Sequence, residues 1–445
     1  MKGTSCPESV STKLQRIAEL AKKAPKMVLT TLAHHIDVEF LAEAYRRTRK
    51  DGAVGVDGRT AADWAAELEV NLQSLHDRFK TGGYHAPPVR RAHIPKGDGS
   101  RTRPIGIPTF EDKVLQRAVT MVLEAAYEQD FLDSSYGFRP GRSAHQALQR
   151  LWETTTEMGG GVVLEADIQG FFDNLVPAHL RTFLDQRVRD GVIRRAIDKW
   201  LKAGVLEEGR HIHPDTGTPQ GGVISPLLAN IYLHEVLDKW FEAEVKGRLQ
   251  GRAELIRYAD DFVIVFSSEN DARRVLEVLA KRFAKYGLTL HPDKTRLVPF
   301  DRPRSGVSRK TRPETFDLLG FTHHWGRSFR GWWIVKRQTA RSRLSRALKR
   351  VNEWCRGNRH LPVAEQQQAL NRKLRGHYSY YGITTNFPAL RRFKEEVQSI
   401  WRKWLDRRSQ RARMNWQRFH LLLRRYPLLP AQVTHSVHRR RAANC

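Results

Sequence analysis

The chain has 445 residues, with 77 Lys+Arg against 48 Asp+Glu, a formal charge of +29 and a pI near 10.4. That length builds two or three domains around a sizeable core, and that charge favours a polyanionic partner, usually nucleic acid. Cys6, Cys355 and Cys445 are too scattered for a disulfide framework or a zinc site, and no apolar run reaches the ~18 residues that cross a bilayer, so no membrane role is expected and a reducing interior is the natural compartment.

Asp37 can cap a helix on which Phe40, Leu41, Ala44 and Tyr45 share one face, and DGAVGVDG then breaks it; residues 1–80 read as a helical N-terminal region. Residues 90–109, RRAHIPKGDGSRTRPIGIPT, read as two extended pieces around a basic, Gly-containing turn, which is a hairpin pattern. Residues 111–128 carry apolar positions at helical spacing. From 161 to 300 strands and helices alternate, as in a sheet with helices packed on one face.

After about residue 325 the strand signals fade, and three helical stretches starting at Ala340, Ala364 and Ala389 suggest a small basic bundle. Residues 331–445 hold 27 Lys+Arg and 5 Asp+Glu, so most of the net charge lies in the last quarter of the chain. Trp332, Trp333, Trp354, Trp401, Trp404 and Trp416 are interleaved with that charge, either as the core of the basic helices or as platforms for bases.

The stretch LIRYADDFVIVF, 255–266, sets Asp260 and Asp261 between two apolar, β-favouring runs, the layout of two strands joined by a tight turn with the acids at its tip. Burying a lone carboxylate costs several kcal/mol, so such a pair is solvated or held by cations. VVLEADIQGFFD ends another apolar run at Asp167. A strand-end carboxylate beside the turn would complete an oxygen-ligand site suited to Mg²⁺, and two such ions can drive in-line displacement at a phosphate.

YADD at 258–261, DIQGFFD at 167–173, GTPQGGVISPLLANIYL at 217–233 and SYGFRPGRSAHQAL at 135–148 resemble the reverse-transcriptase motifs of group II intron-encoded proteins. IPKGDGSRTRPIGIPT, GLTLHPDKT and FDLLGF follow that family's order, and LRGHYSYYGI at 374–383 resembles its maturase, or thumb, region. The similarity covers roughly residues 37 to 430. It implies a right-hand polymerase fold of α/β and all-α parts, with fingers and an antiparallel palm sheet backed by helices over 81–325. A helical thumb or maturase domain over 326–430 and a basic tail over 431–445 would follow.

The resemblance further implies that Asp167, Asp260 and Asp261 are the catalytic carboxylates, with two Mg²⁺ ions held by them and by the carbonyl of Ile168. Phe172 stands where the family excludes a 2′-hydroxyl. Lys96 and Arg103 match residues that grip the triphosphate, as a point cation and a forked guanidinium would. Gln220 matches a contact near the nucleotide sugar, with Gly221 and Gly222 allowing close backbone approach. Lys294 matches a proton donor to pyrophosphate.

Phe316 to Phe321 correspond to the element that holds the primer end. Arg139 lies near the template or nucleotide pocket, or else makes a structural ion pair. Tyr378, Tyr380 and Tyr381 read as thumb-helix core.

Two departures stand out. Gln169 replaces the family's usual Lys beside the metal site. The end, SVHRRRAANC, lacks the His and Cys pairs of the family's endonuclease, and the lone His211, His213, His323 and His324 do not replace them, so priming from a pre-existing 3′ end is expected.

The implied function is RNA-directed DNA synthesis on group II intron RNA, with dNTPs and a DNA target or primer, plus binding of that RNA to assist splicing, in a cytoplasmic, nucleoid-associated bacterial protein. The alternatives are a free-standing reverse transcriptase used in repair or defence, and a splicing cofactor that no longer polymerises. The oligomeric state is not legible in the sequence.

Overall fold

The computed structural model describes residues 9–95, 102–207, 210–212, 221–303, 314–409 and 413–436. The chain divides into two compact units, Met1–Arg150 with Leu164–Leu297, and Leu151–Val163 with Val298–Cys445.

The first unit opens with helices α1 (Val10–Lys23), α2 (Val38–Arg47), α3 (Ala61–Ala65) and α4 (Leu68–Thr81). Asp37 caps α2 as its sequence position suggests: its Oδ1 accepts the Phe40 N–H at 2.9 Å, and Phe40, Leu41 and Ala44 are buried. α1 is fastened by a residue that its own sequence does not contain. The buried guanidinium of Arg187 donates to the carbonyls of Ala21, Ala24 and Met27, each at 2.8 Å, and pairs with Asp130. Orphan carbonyls at a helix end are thereby satisfied away from water.

Strands β1 (Val89–Pro95) and β2 (Thr102–Ile107) form the expected antiparallel hairpin, with Ile94 opposite Arg103. Helix α5 (Phe110–Tyr127) follows and is buried over most of its surface. Then come α6 (Ala144–Glu157), β3 (Val162–Ala166), α7 (Phe171–Asn174), α8 (Pro177–Asp185), α9 (Gly191–Lys202), β4 (Val205–Glu207) and β5 (Arg210–Ile212). Helix α10 (Ser225–Leu233) runs on through π-helical turns at His234–Asp238 and Phe241–Val245.

The chain continues with β6 (Ala253–Tyr258), β7 (Asp261–Phe266), α11 (Glu269–Lys285) and β8 (Arg296–Pro299), and the first unit ends within β8, at Leu297. One sheet has the order β2-β1-β4-β5 and another β6-β7-β3-β8. β6 and β7 are antiparallel, and α11 packs against β7, with Phe283 edge-on to Phe262.

In the second unit β9 (Phe316–Leu318), β10 (Phe321–Arg327) and β11 (Trp333–Thr339) form an antiparallel sheet ordered β11-β10-β9. Strand structure thus continues to Thr339, beyond the point near 325 where the sequence signals fade. The reason is that β11 turns Val335, Arg337 and Thr339 inward, so two polar side chains break the apolar alternation that marks a half-buried strand.

Among the described residues four helices follow rather than three: α12 (Arg341–Gly357), α13 (Val363–Tyr381), α14 (Phe387–Asp406) and α15 (Trp416–Arg425). Their core includes Val351, Leu370, Leu374, Tyr378, Phe393, Val397 and Trp401. Trp401 and Trp404 are core residues whose indole N–H groups donate to Gln366 and Asn352, both at 2.9 Å, whereas Trp332 and Trp416 are exposed. Trp401 and Trp404 thus take the first of the two readings that the sequence left open.

Candidate active site

The YADD turn is the tip of the β6–β7 hairpin. Tyr258 pairs with Asp261 across a two-residue loop, Ala259-Asp260, and Ala259 has φ +56°. A positive φ at the first central residue matches the twist of a two-residue hairpin, but it strains a residue with a Cβ.

A buried network holds that strain. Arg257, wholly inaccessible to solvent, donates to both carboxylate oxygens of Asp238 at 2.8 and 2.5 Å, to Asn230 Oδ1 at 2.9 Å and to the carbonyl of Ala259 at 3.0 Å. Asn230 Nδ2 in turn donates to the carbonyl of Gly137 at 2.7 Å. Burial acts to raise the Asp238 carboxyl, but the Arg257 guanidinium overrides it and holds the group below its ordinary value.

The segment Ser134–Gly137 lies along the same strand, with Arg257 N–H donating to Ser134 O at 2.8 Å and Tyr136 N–H to Arg257 O at 2.9 Å. At Gly137 a Cβ would stand 2.3 Å from Ala259 N, so only glycine fits under the turn. Arg139, in the same motif, is not directed at a nucleotide. It is buried and spends its guanidinium on Glu128 and on the carbonyls of Leu132 and Ser135, the structural ion pair that the sequence left as the alternative.

Asp167 follows β3 and is half-buried. Its carbonyl accepts the His291 N–H and the Gln169 N–H reaches Thr289 O, both at 2.8 Å, on either side of the bridge from Ile168 to Leu290. In such a pair the bonded groups belong to the flanking residues, so the carbonyl of Ile168 is turned to the other edge of its strand. The same contact docks the turn HPDKT, 291–295, and sets Lys294 Nζ 2.5 Å from Asp167 Oδ2.

These elements converge. Burial pushes the Asp260 carboxyl up from its ordinary value and the charge of Asp167 pushes the same way, while its own backbone N–H, Arg103 and Arg257 pull it down. Asp167 and Arg103 are thus each within electrostatic reach of Asp260, and Lys294 is paired with Asp167. Asp261 stands beside them at the exposed start of β7.

Phe172 is half-buried on α7, edge-on to Phe171 at 5.2 Å. Lys96 and Gln220 lie outside the described residues. Gly221 and Gly222 are described: Gly221 has φ +124° and is so close to β2 that a Cβ would stand 2.4 Å from Gly106 O, and Gln116 Oε1 accepts the Val223 N–H at 2.8 Å. The loop before α10 is therefore seated on the strand that carries Arg103.

In the second unit FDLLGF forms β9, a Leu319-Gly320 turn with φ +50° and +79°, and the start of β10. Tyr380 Oη donates to Leu319 O at 2.9 Å and its ring stacks on Phe321; Tyr378 is core, and Tyr381 packs against Phe321.

Arg257, Asp238, Asn230 and Gly137 escape a reading centred on the acids. Their signal is a lone polar residue inside an apolar run, LIRY for Arg257 and LLANIYL for Asn230, which must find a buried partner.

Carboxylates gathered at a hairpin turn, with cations drawn in around them, are the make-up of sites that transfer phosphate-bearing groups with the help of metal. Residues 94–323, just over half of the chain, match the family model for reverse transcriptase (RNA-dependent DNA polymerase). The chain is 34% identical over 328 residues to Protein YkfC of Escherichia coli K12, covering 65% of this chain and 84% of that protein. It is 40% identical over 233 residues to the group II intron-encoded protein LtrA of Lactococcus lactis, covering 51% of this chain and 38% of LtrA. A more distant match is Nuclear intron maturase 2, mitochondrial, of Arabidopsis thaliana, at 28% identity over 228 residues, 40% of this chain and 30% of that protein.

The chain belongs to the reverse transcriptase family, the RNA-dependent DNA polymerases, and within it to the group II intron-encoded reverse transcriptases and maturases. The family implies a right-hand polymerase fold and the use of divalent metal ions. No helix among the described residues is long and apolar enough to cross a membrane.

Proposed function

We propose that the protein copies group II intron RNA into DNA by two-metal-ion nucleotidyl transfer and binds the folded intron to assist splicing and mobility. The observation that carries this reading is the meeting of Asp167, Asp260, Arg103 and Lys294 from four separate segments of the first unit. Fingers and palm occupy 81–325 in this reading, with the helical extension before them and the thumb over 326–430.

The donor set fits a hard divalent ion: two carboxylates already close enough to feel each other's charge, and a backbone carbonyl turned off its ladder. Among the described residues no group of three His, Cys, Asp or Glu side chains is placed to hold a metal ion. Mg²⁺ takes few protein ligands and keeps waters and substrate phosphates in its shell. Asp167 and Asp260 would be the principal ligands of two Mg²⁺ ions, with Asp261 beside them and the Ile168 carbonyl adding an oxygen. When bound, the metal lowers the pKa of the primer 3′-hydroxyl and stabilises charge on the α-phosphate.

The protein's own groups do the rest. Arg103 and Lys96 neutralise the β and γ oxygens of the incoming dNTP. Gln220 orients the sugar, and Phe172 excludes a 2′-hydroxyl, which selects dNTPs over rNTPs. Lys294 Nζ, held at Asp167 in the resting protein, hands a proton to the departing pyrophosphate.

Primer extension on an RNA template with Mg²⁺ and dNTPs, with rNTPs in parallel, tests the reading. Wild-type synthesis from dNTPs that disappears in the Asp260→Ala/Asp261→Ala variant is the expected result. A folded wild-type protein that binds RNA without synthesis would make it a splicing cofactor instead.

A further inference from the structure

We propose that the tip of the β10–β11 hairpin binds single-stranded RNA, with bases stacking on Phe329 and Trp332. The proposal rests on the nucleic-acid reading above and assigns it a surface. Phe329 is fully exposed and Trp332 is 65% exposed, whereas Trp325, on β10 of the same hairpin, is buried. Two large aromatic side chains left in water at one loop mark an interaction surface rather than a folding residue.

The loop that presents them is built rather than loose. Arg327 pairs with Trp333 at the end of the ladder, Ser328 N–H donates to Trp332 O at 2.7 Å, and Gly331 N–H donates to Ser328 O at 3.1 Å. Trp332 N–H donates to Ser328 Oγ at 3.0 Å, and Arg327 Nη1 donates to Gly331 O at 2.8 Å. Gly331 turns the chain with φ +80°. The Arg327 guanidinium also lies 4.1 Å from the Trp333 ring centre, so a cation is fixed beside the aromatic pair. A preorganised tip loses little entropy on binding.

Charge selects the partner. Between Asp317 and Glu353 the chain has no acidic residue, and Arg327 and Arg330 stand at the tip itself. Aromatic faces among cations fit a polyanion that carries its own π-faces, because bases stack on the rings while phosphates meet the guanidinium and ammonium groups. A duplex hides those faces in its own stack, so the fitting ligand is an unpaired strand.

The test uses the full chain and fluorescence anisotropy at fixed salt with a labelled single-stranded oligoadenylate RNA, an abasic oligomer of the same length, and phosphatidylglycerol vesicles. The Phe329→Ala/Trp332→Ala variant is expected to bind oligoadenylate about tenfold or more weakly, with its affinity for the abasic strand unchanged. Phe329→Tyr/Trp332→Phe, which keeps both rings, is expected to retain the wild-type affinity.

Equal oligoadenylate affinity in the alanine variant, or an equal loss on the abasic strand, would overturn the proposal. So would a loss confined to vesicles, which would make the tip a membrane anchor. Primer extension by the wild type, run alongside, separates the two readings. Synthesis with unaltered binding in the variant overturns only the hairpin proposal, and weakened binding without synthesis overturns only the polymerase.

Discussion

Lys294 Nζ stands 2.5 Å from Asp167 Oδ2, an ion pair made across 127 positions of the chain. In the proposed reading Asp167 is a metal ligand, so the lysine holds it where a metal would compete for it. Lys294→Ala is expected to lower the concentration of Mg²⁺ needed for half-maximal synthesis, because that competitor is gone. It is also expected to slow single-nucleotide incorporation about 100-fold, the usual loss of a general acid. Rapid-quench kinetics across a Mg²⁺ titration read both effects; a slower rate with an unchanged Mg²⁺ requirement would leave the ion pair without a role in metal binding.

Arg257 and Asp238 are buried together behind the YADD turn. Asp238→Ala leaves an uncompensated guanidinium in the core and is expected to cost about 3–5 kcal/mol in urea unfolding. Arg257→Lys keeps a cation for Asp238 but loses the fork that also reaches Ala259 and Asn230. Its expected signature is a fall in the rate of incorporation with little change in the KM for dNTP. A variant that loses stability and keeps its rate would show the network to be core alone.

At Gly137 the fault would be local. A Cβ there meets Ala259 N and the Tyr258 carbonyl carbon, at 2.3 and 2.9 Å, and neither is a flexible side-chain end that can swing away. Gly137→Ala is expected to displace the turn and reduce primer extension about 100-fold, the cost of a misplacement of about 1 Å. Circular dichroism should remain native, and full activity would show that the turn shifts without harm.

Asp112 on α5 gives a dependence on pH. It is 2% exposed, accepts from Tyr84 Oη, and burial pushes its carboxyl up to about 7. The folded value lies above the unfolded one. Its stabilising contribution is therefore fully present below about pH 4 and is lost as the pH rises through about 7. Over that window the loss is on the order of 4 kcal/mol. Asp112→Asn should flatten the decline of the unfolding midpoint between about pH 4 and about 7, measured by thermal scans; parallel curves for the two proteins would place the slope elsewhere.

Much of the fold was legible because it is local. The cap at Asp37, the β1–β2 hairpin, α5 and the acidic turn at 258–261 follow from nearest-neighbour chemistry, since a turn residue or an apolar period acts over a few positions. β11 was missed because its inward residues include Arg337 and Thr339. The carboxylates were legible as motifs, and the resemblance supplied their roles.

What tertiary structure alone decided is which distant groups share one low-dielectric place. Residues 151–163 belong with 298–445 by contact, although they precede most of the first unit's strands in sequence. Arg139 turned into an ion pair, Arg257 became the clamp of the YADD turn, and of six tryptophans two went to the core with their N–H groups bonded while Trp332 was left in water. Sequence sets the chemistry each side chain can perform; partners for a buried charge or ring are chosen by packing, whose energy depends on separations in space and is blind to separation along the chain.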